Sequence, residues 1–256
     1  MISTALKHAQ EIARRGRRLA IFLDYDGTLT PIVGRPEQAV LPDSTRSVLR
    51  ALAARVPVAI LSGRDLEDVR RRVNVDGITY AGSHGFDIAG PHGLRKQIAT
   101  EFTPILDAAE EELREKLADV PGALLERKRF SIAAHYRQVT DGSVPRVERA
   151  VNEVMARHRE LRRMAGRKVY DLQPGLAWNK GRAVVWLLET MGVKPMEACP
   201  LYIGDDRTDE DAFRAVQRRG IGVIVSEHPR LTAARYTLKN PAEVEYFLRE
   251  LTARLA

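Results

Sequence analysis

Two carboxylates stand one residue apart at the end of an apolar run: residues 20–32 read AIFLDYDGTLTPI, and Asp24 and Asp26 follow four apolar side chains. Like charges that close raise each other's pKa and resist desolvation, so the pair calls for compensating positive charge. Other segments carry groups of the right type. Ser62-Gly63-Arg64 closes the apolar run VAIL, Lys180 lies in WNKG at the start of a helical segment, and Gly204-Asp205-Asp206 closes the run PLYI. Ligands of an open parallel sheet bind at the carboxyl ends of its strands, so if these runs are neighbouring strands, the groups converge. Carboxylates around an oxygen-lined gap suit Mg²⁺, which takes oxygen ligands and commonly a substrate phosphate. That cation and Lys180 would neutralise the aspartates. Read alone, Asp26-Gly27 is better explained as a hairpin turn. The chain has no Walker A loop, GxGxxG fingerprint or HExxH helix, and the serine of AGSHG follows its first glycine too directly for a nucleophile elbow.

The elements that must position these residues alternate. Residues 4–18 predict a helix leading into a strand at 19–24. DSTRSVLRALAA (43–54) opens with Asp/Ser capping signals and has apolar positions at helical spacing. VPVAILSGR predicts a buried strand and a turn, DLEDVRRRV a helix, and ITYAGSHG a strand followed by a glycine-punctuated loop. Strand and helix in alternation imply a Rossmann-like parallel α/β sheet. The middle breaks the rhythm with the order helix–strand–strand–helix–strand, a smaller α+β module set inside the α/β domain. The alternation resumes at Lys180 and ends in EVEYFLRELTARL, whose Val244, Phe247, Leu248 and Leu251 form one apolar face. The resulting division is 1–98 for the first part of the core, 99–172 for the insertion and 173–256 for the rest of the core.

Composition limits the partners. With 256 residues, 44% hydrophobic and 29% charged, the chain can bury a substantial core. Its single Cys199 rules out a disulfide framework and a cysteine metal cluster. There is no secretory signal in the polar N-terminus and no apolar run long enough to span a membrane, so a cytoplasmic location is expected. The net charge of +7 favours an anionic partner. Because the basic residues are dispersed among acidic ones and aromatics are few, a phosphorylated small molecule is a better match than nucleic acid.

The motifs DYDGT, a strand ending in Ser62, Lys180 after an insertion and GDDRTDED resemble, in order, the four motifs of the haloacid dehalogenase (HAD) phosphatases. More closely, DYDGTLTPI, SGRD, YAGSHGFDI, an E-x-K pair upstream of HYR, WNKG and YIGDDRTDEDAF resemble the trehalose-6-phosphate phosphatase family over nearly the whole chain. The resemblance implies a HAD core with an inserted cap, and a monomer cleaving a sugar phosphate through an aspartyl-phosphate. It implies Asp24 as nucleophile, Asp26 as acid–base, and Ser62 and Lys180 on the phosphoryl group. Mg²⁺ would be held by Asp24, Asp26 (through its carbonyl), Asp205 and Asp209. Glu126, Lys128, Arg137 and Asp171 of the cap would read the sugar, with Arg64, Ser83 and His84 as further contacts from the core. Two positions depart from the family: Asp171 stands where Glu is common and Gln173 where Arg is common. A shorter carboxylate leaves room for a bridging water, so sucrose-phosphate and mannosylglycerate-type phosphates stay open as substrates. A catalytically silent sugar-phosphate sensor is a further alternative.

Overall fold

The run Leu19–Leu23 is buried at every position and forms β1, the strand on which the rest of the sheet is built. The computed structural model describes residues 2–166, 168–191 and 197–255, with the side chains of residues 17 and 165 excepted. By contacts the chain divides into two units, Met1–Lys96 with Trp178–Ala256, and Gln97–Ala177.

After β1 come β2 (Val58–Leu61), β3 (Thr79–Gly82), β4 (Asp87–Ala89) and β5 (Arg95–Gln97). The second unit contributes β6 (Leu124–Lys128), β7 (Ser131–His135), β8 (Leu161–Gly166) and β9 (Val169–Pro174). The chain then returns for β10 (Cys199–Gly204), β11 (Ile221–Val225) and β12 (Tyr236–Leu238). The helices in chain order are α1 (Ala9–Ala13), α2 (Asp43–Ala53), α3 (Leu66–Val73), α4 (Thr103–Leu117), α5 (Val144–Arg157), α6 (Lys180–Thr190), α7 (Glu210–Val216) and α8 (Pro241–Arg254).

The larger sheet runs β12-β11-β10-β1-β2-β3-β4-β5. Pairing is parallel from β12 to β3 and turns antiparallel at β3–β4. Strand side chains alternate between faces, and here both faces are buried. Leu19, Ile21 and Leu23 pack with residues of α1, α2, α3 and α8. Ala20 and Phe22 pack on the other side with α6 and α7. This is the Rossmann-like α/β core that the alternation predicts. It differs at the start, where the expected helix over 4–18 is broken. The residues on either side of α1 form short 3₁₀ turns, and Gly16 takes φ +55°, a backbone state that ends a right-handed helix.

The second unit has a four-stranded antiparallel sheet, β6-β7-β9-β8. Ile132, Ala134, Tyr170 and Leu172 pack against Leu106 and Leu113 of α4 and Val147 and Val151 of α5. By alternation the opposite face carries Glu126, Lys128, Ala133, His135, Asp171 and Gln173. Strand β8 adds an element to the order expected for the insertion.

Candidate active site

Strand β1 lies between β10 and β2, with Leu23 opposite Ile203 on one side and Ile60 on the other. The residues that leave these three strands are therefore neighbours. Asp24 extends the ladder, its N–H donating to the Ile203 carbonyl at 2.9 Å. The chain then winds tightly about the Tyr25 carbonyl, which accepts from the backbone N–H of Leu29 at 2.9 Å and of Thr30 at 3.1 Å. Gly27 is needed in that turn. Its φ is +85°, and a Cβ there would fall 2.3 Å from Asp205 Oδ2, so the turn passes directly against the carboxylate that ends β10.

WNKG places the lysine. Trp178 Nε1 donates to the Gly85 carbonyl at 2.8 Å. Asn179 caps α6 through Oδ1, which accepts from the Arg182 N–H at 2.9 Å, and its Nδ2 donates to Asp211 Oδ2 at 3.0 Å. A Cβ on Gly181 would meet the Asp211 carbonyl oxygen at 2.4 Å, which lets α6 abut the start of α7. Lys180, in the first turn of α6, is thereby directed inward, and its Nζ donates to Asp24 Oδ1 and Asp209 Oδ1, each at 2.7 Å.

Asp209 is the brace of this cluster. Oδ1 accepts from Lys180 and from the Tyr202 hydroxyl at 2.6 Å, while Oδ2 accepts from the backbone N–H of Asp205 at 3.0 Å and of Asp206 at 2.9 Å. Four donors on two oxygens fix its orientation. Tyr202 was not anticipated. It sits within the apolar run of β10 and reads as a core residue; its hydroxyl is the part that reaches the site.

Charge at the site is crowded into a buried space. Burial drives the Asp24 carboxyl well above its ordinary value, with Lys180 pulling it down and Asp209 and Asp205 pushing it further up. Burial also acts to strip the Lys180 proton, but the Asp209 and Asp24 carboxylates outweigh it and hold the ammonium charged. Carboxylate oxygens of Asp24, Asp205 and Asp209 lie within 4.8 Å of one another, with Lys180 on two of them and Arg230 Nη1 donating to the Asp205 carbonyl at 2.8 Å. Oxygen donors of this kind fit a hard divalent cation, and Asp209, its oxygens taken by four donors, supports that set from behind rather than belonging to it. The close pass of Gly27 beside Asp205 keeps a Cβ out of the same space.

The other core candidates are placed as follows. Asp26 is gripped by Arg64 through two hydrogen bonds. Ser62 is buried at the end of β2, and its Oγ accepts from the Arg64 N–H at 3.1 Å. Ser83 is buried, with its hydroxyl donating to Asp65 Oδ1 at 3.1 Å. The His84 ring packs over Gly63, where an added Cβ would come 2.7 Å from it.

In the other unit, the register sets Glu126, Ala133 and Asp171 side by side across β6, β7 and β9, and Lys128 follows Glu126 on the same face. Arg137 is exposed just beyond β7. His135 was not singled out from sequence, yet its Nε2 lies 2.9 Å from Glu126 Oε2. That bond is the main cause holding the Glu126 carboxyl below its ordinary value. Gln173 Nε2 donates to Asp171 Oδ2 at 2.6 Å, and Arg162 Nη2 reaches Gln173 Oε1 at 3.4 Å. The signal for His135 was its position two residues from Ala133 on a strand opposite Glu126.

Residues 22–242 match the family described as Trehalose-phosphatase. The chain is 40% identical over 263 residues to probable trehalose-phosphate phosphatase D of Arabidopsis thaliana, covering 97% of this chain and 71% of that protein. It is 48% identical over 248 residues to a Mycobacterium tuberculosis protein named an uncharacterized glycosyl hydrolase, covering 94% of this chain. The chain thus spans 19% of that much longer mycobacterial relative. Among solved structures, the C-terminal domain of C. albicans trehalose-6-phosphate phosphatase superposes with a TM-score of 0.85 at 24% identity, covering 99% of this chain and 98% of that one. That likeness speaks for the fold.

Proposed function

Because the chain belongs to the trehalose-phosphatase family, we propose that it is a phosphoric monoester hydrolase that cleaves trehalose 6-phosphate to trehalose and phosphate. The observation that carries this reading is the buried Asp24–Lys180–Asp209 arrangement with Asp205 beside it at the ends of β1 and β10.

In this mechanism an Asp24 carboxylate oxygen attacks phosphorus in line, and the bond from phosphorus to the sugar oxygen breaks with its electron pair passing to that oxygen. Asp26 gives the oxygen a proton, and trehalose leaves. Water then attacks the aspartyl-phosphate and loses a proton to Asp26. The Asp24 acyl–phosphate bond opens, releasing phosphate and restoring the carboxylate. Lys180 orients Asp24 and offsets phosphoryl charge, and the Ser62 hydroxyl contributes a donor to the phosphoryl oxygens. Mg²⁺ is the cation we assign, with Asp24, Asp205 and the Asp26 carbonyl holding it; when bound it would neutralise phosphoryl oxygens. Asp209, with both oxygens occupied by donors, serves as the brace for Lys180 and the Asp205 backbone.

Sugar selection is assigned to Glu126, Lys128, Asp171 and Arg137, with His135 orienting Glu126. The hydrogen bond from Gln173 to Asp171 supports a recognition face altered from the family pattern, which keeps sucrose 6′-phosphate as a second candidate. Among the described residues no helix is long and apolar enough to cross a membrane. The proposal includes a cytoplasmic monomer acting on a small sugar phosphate and not on nucleic acid.

The test is phosphate release, with and without Mg²⁺, from trehalose 6-phosphate, sucrose 6′-phosphate and glucose 6-phosphate. A marked preference for the trehalose ester that needs the cation and disappears in Asp24→Asn is the expected result. Preference for another ester would move the substrate assignment, and no release from any would overturn the trehalose 6-phosphate reading and leave a different sugar phosphate or a silent sensor.

A further inference from the structure

Arg64, expected among the sugar contacts, has its guanidinium committed inside the core unit. Nε donates to Asp26 Oδ2 at 2.7 Å and Nη2 to Asp26 Oδ1 at 2.8 Å, a fork on both carboxylate oxygens. Nη2 also donates to the Pro36 carbonyl at 2.8 Å, and Nη1 to Asp68 Oδ2 at 2.9 Å. These bonds engage four of the five guanidinium N–H groups. The side chain is 10% exposed, and its guanidinium carbon lies 5.4 Å from the centre of the Tyr25 ring. Asp68 is itself held by Arg72 Nε at 2.7 Å and Arg71 Nη2 at 2.5 Å. Arg64 is therefore anchored on three sides and presents its fork to Asp26.

A carboxylate gripped through both oxygens has a defined direction. Asp26 needs one, because it sits on a turn beyond the end of β1, and proton transfer demands hydrogen-bond reach to the reacting oxygen. We propose that Arg64 is a positioning residue for Asp26: it aims the carboxyl that exchanges protons with the ester oxygen and does not itself touch the sugar. This rests on the acid–base role assigned to Asp26 above. When the phosphorus–oxygen bond breaks, its electron pair goes to the ester oxygen, and a sugar alkoxide must take a proton from Asp26 to leave. An aryl oxide such as p-nitrophenolate leaves without one. Misaiming Asp26 then slows formation of the aspartyl-phosphate from the sugar ester far more than from the aryl ester, whereas its effect on hydrolysis of that shared intermediate is common to both. Damage to the phosphoryl site or the fold is felt by both alike.

The experiment measures KM and the single-turnover rate of leaving-group release for trehalose 6-phosphate and p-nitrophenyl phosphate in the wild type, Arg64→Ala, Arg64→Lys and Asp68→Asn. If the wild type prefers another sugar ester, that ester replaces the first. The ratio of sugar-ester to aryl-ester rates of leaving-group release in a single turnover at saturating substrate is expected to fall by about 10–100-fold in Arg64→Ala. Arg64→Lys should fall similarly, since an ammonium cannot reproduce the fork, and Asp68→Asn should fall less. Added guanidinium ion should restore part of the ratio to Arg64→Ala. If that variant does not fold, Arg64→Lys and Asp68→Asn carry the test. An unchanged ratio, equal losses of the leaving-group release rate on both esters, or a loss confined to the sugar-ester KM overturns the proposal. The wild type alone judges the earlier reading: inactivity on every sugar ester refutes that function and with it the role of Arg64. An active wild type with an unchanged ratio refutes only the latter.

Discussion

The two units keep their charges under opposite conditions. In the core, the Lys180, Asp24 and Asp209 side chains are 3%, 7% and 0% exposed, and two ion pairs join them. In the unit Gln97–Ala177, the His135 and Glu126 side chains are 26% and 42% exposed and meet through one contact at 2.9 Å. A buried charge that loses its partner costs several kcal/mol, so the core residues fix one another's identity. A half-exposed pair keeps water as an alternative partner, so its members can be exchanged at small cost. Under the function proposed above, phosphoryl chemistry is held rigidly in one unit while sugar selection is adjustable in the other. The Asp171–Gln173 pair, with its short amide-to-carboxylate bond, has the form of such an adjustment.

The comparison breaks most visibly at Lys180. Lys180→Met leaves Asp24 and Asp209 buried without their ammonium and is expected to cost about 3–5 kcal/mol as well as phosphate release, read from urea denaturation and activity together. A variant as stable as the wild type would show that the core charges are not interdependent. Gly27→Ala comes next. It forces a Cβ toward Asp205 at a φ of +85°, so the melting temperature should fall and calorimetry should find Mg²⁺ binding weakened by about 10-fold or more.

The recognition face should respond more gently. His135→Ala releases Glu126, and the expected result is a KM for the sugar ester raised by roughly 10-fold with kcat changed by less than about 2-fold. An equal fall in kcat would place His135 with the chemistry and dissolve the division between units. The smallest effect concerns acid stability at Asp68. Burial pushes its carboxyl up, but hydrogen bonds from Arg72 and Arg64 outweigh burial and hold it below the ordinary 3.8. A carboxyl lowered on folding stabilises the protein above its unfolded-state value, and that stabilisation is lost as pH falls through the folded-state value. Melting temperatures taken downward from pH 5 should therefore drop less steeply in Asp68→Asn than in the wild type.

The same contrast explains what could be read from sequence. Asp24 and Asp205 stand out because charged residues at the ends of apolar runs have few structural explanations, whereas Lys180, at a helix start, is marked by the WNKG resemblance; the neighbouring order of β10, β1 and β2 that joins them comes from the structure. Arg64 could be noticed, but not its fork, since Asp26 lies 38 residues away and the pairing depends on a turn. Tyr202 was hidden because an apolar strand gives no sign of where a hydroxyl ends. Strand β8 was missed because LRRMAG follows directly on a charged helical segment, and its arginines look like more of the same. What makes it a strand is long-range pairing, with Arg162 opposite Gln173 and Met164 opposite Asp171, which local pattern does not encode. The three-residue strands β4 and β12 fail for a simpler reason: they are too short to show a period.

The central claim is that Asp24 carries the phosphoryl group. Rapid quenching of the enzyme during turnover of isotopically labelled sugar phosphate, followed by peptide mapping, tests it most directly. The account predicts label on the peptide containing Asp24 in the wild type and none there in Asp24→Asn. Label on a different residue, or steady turnover with no labelled protein at any quench time, would contradict it.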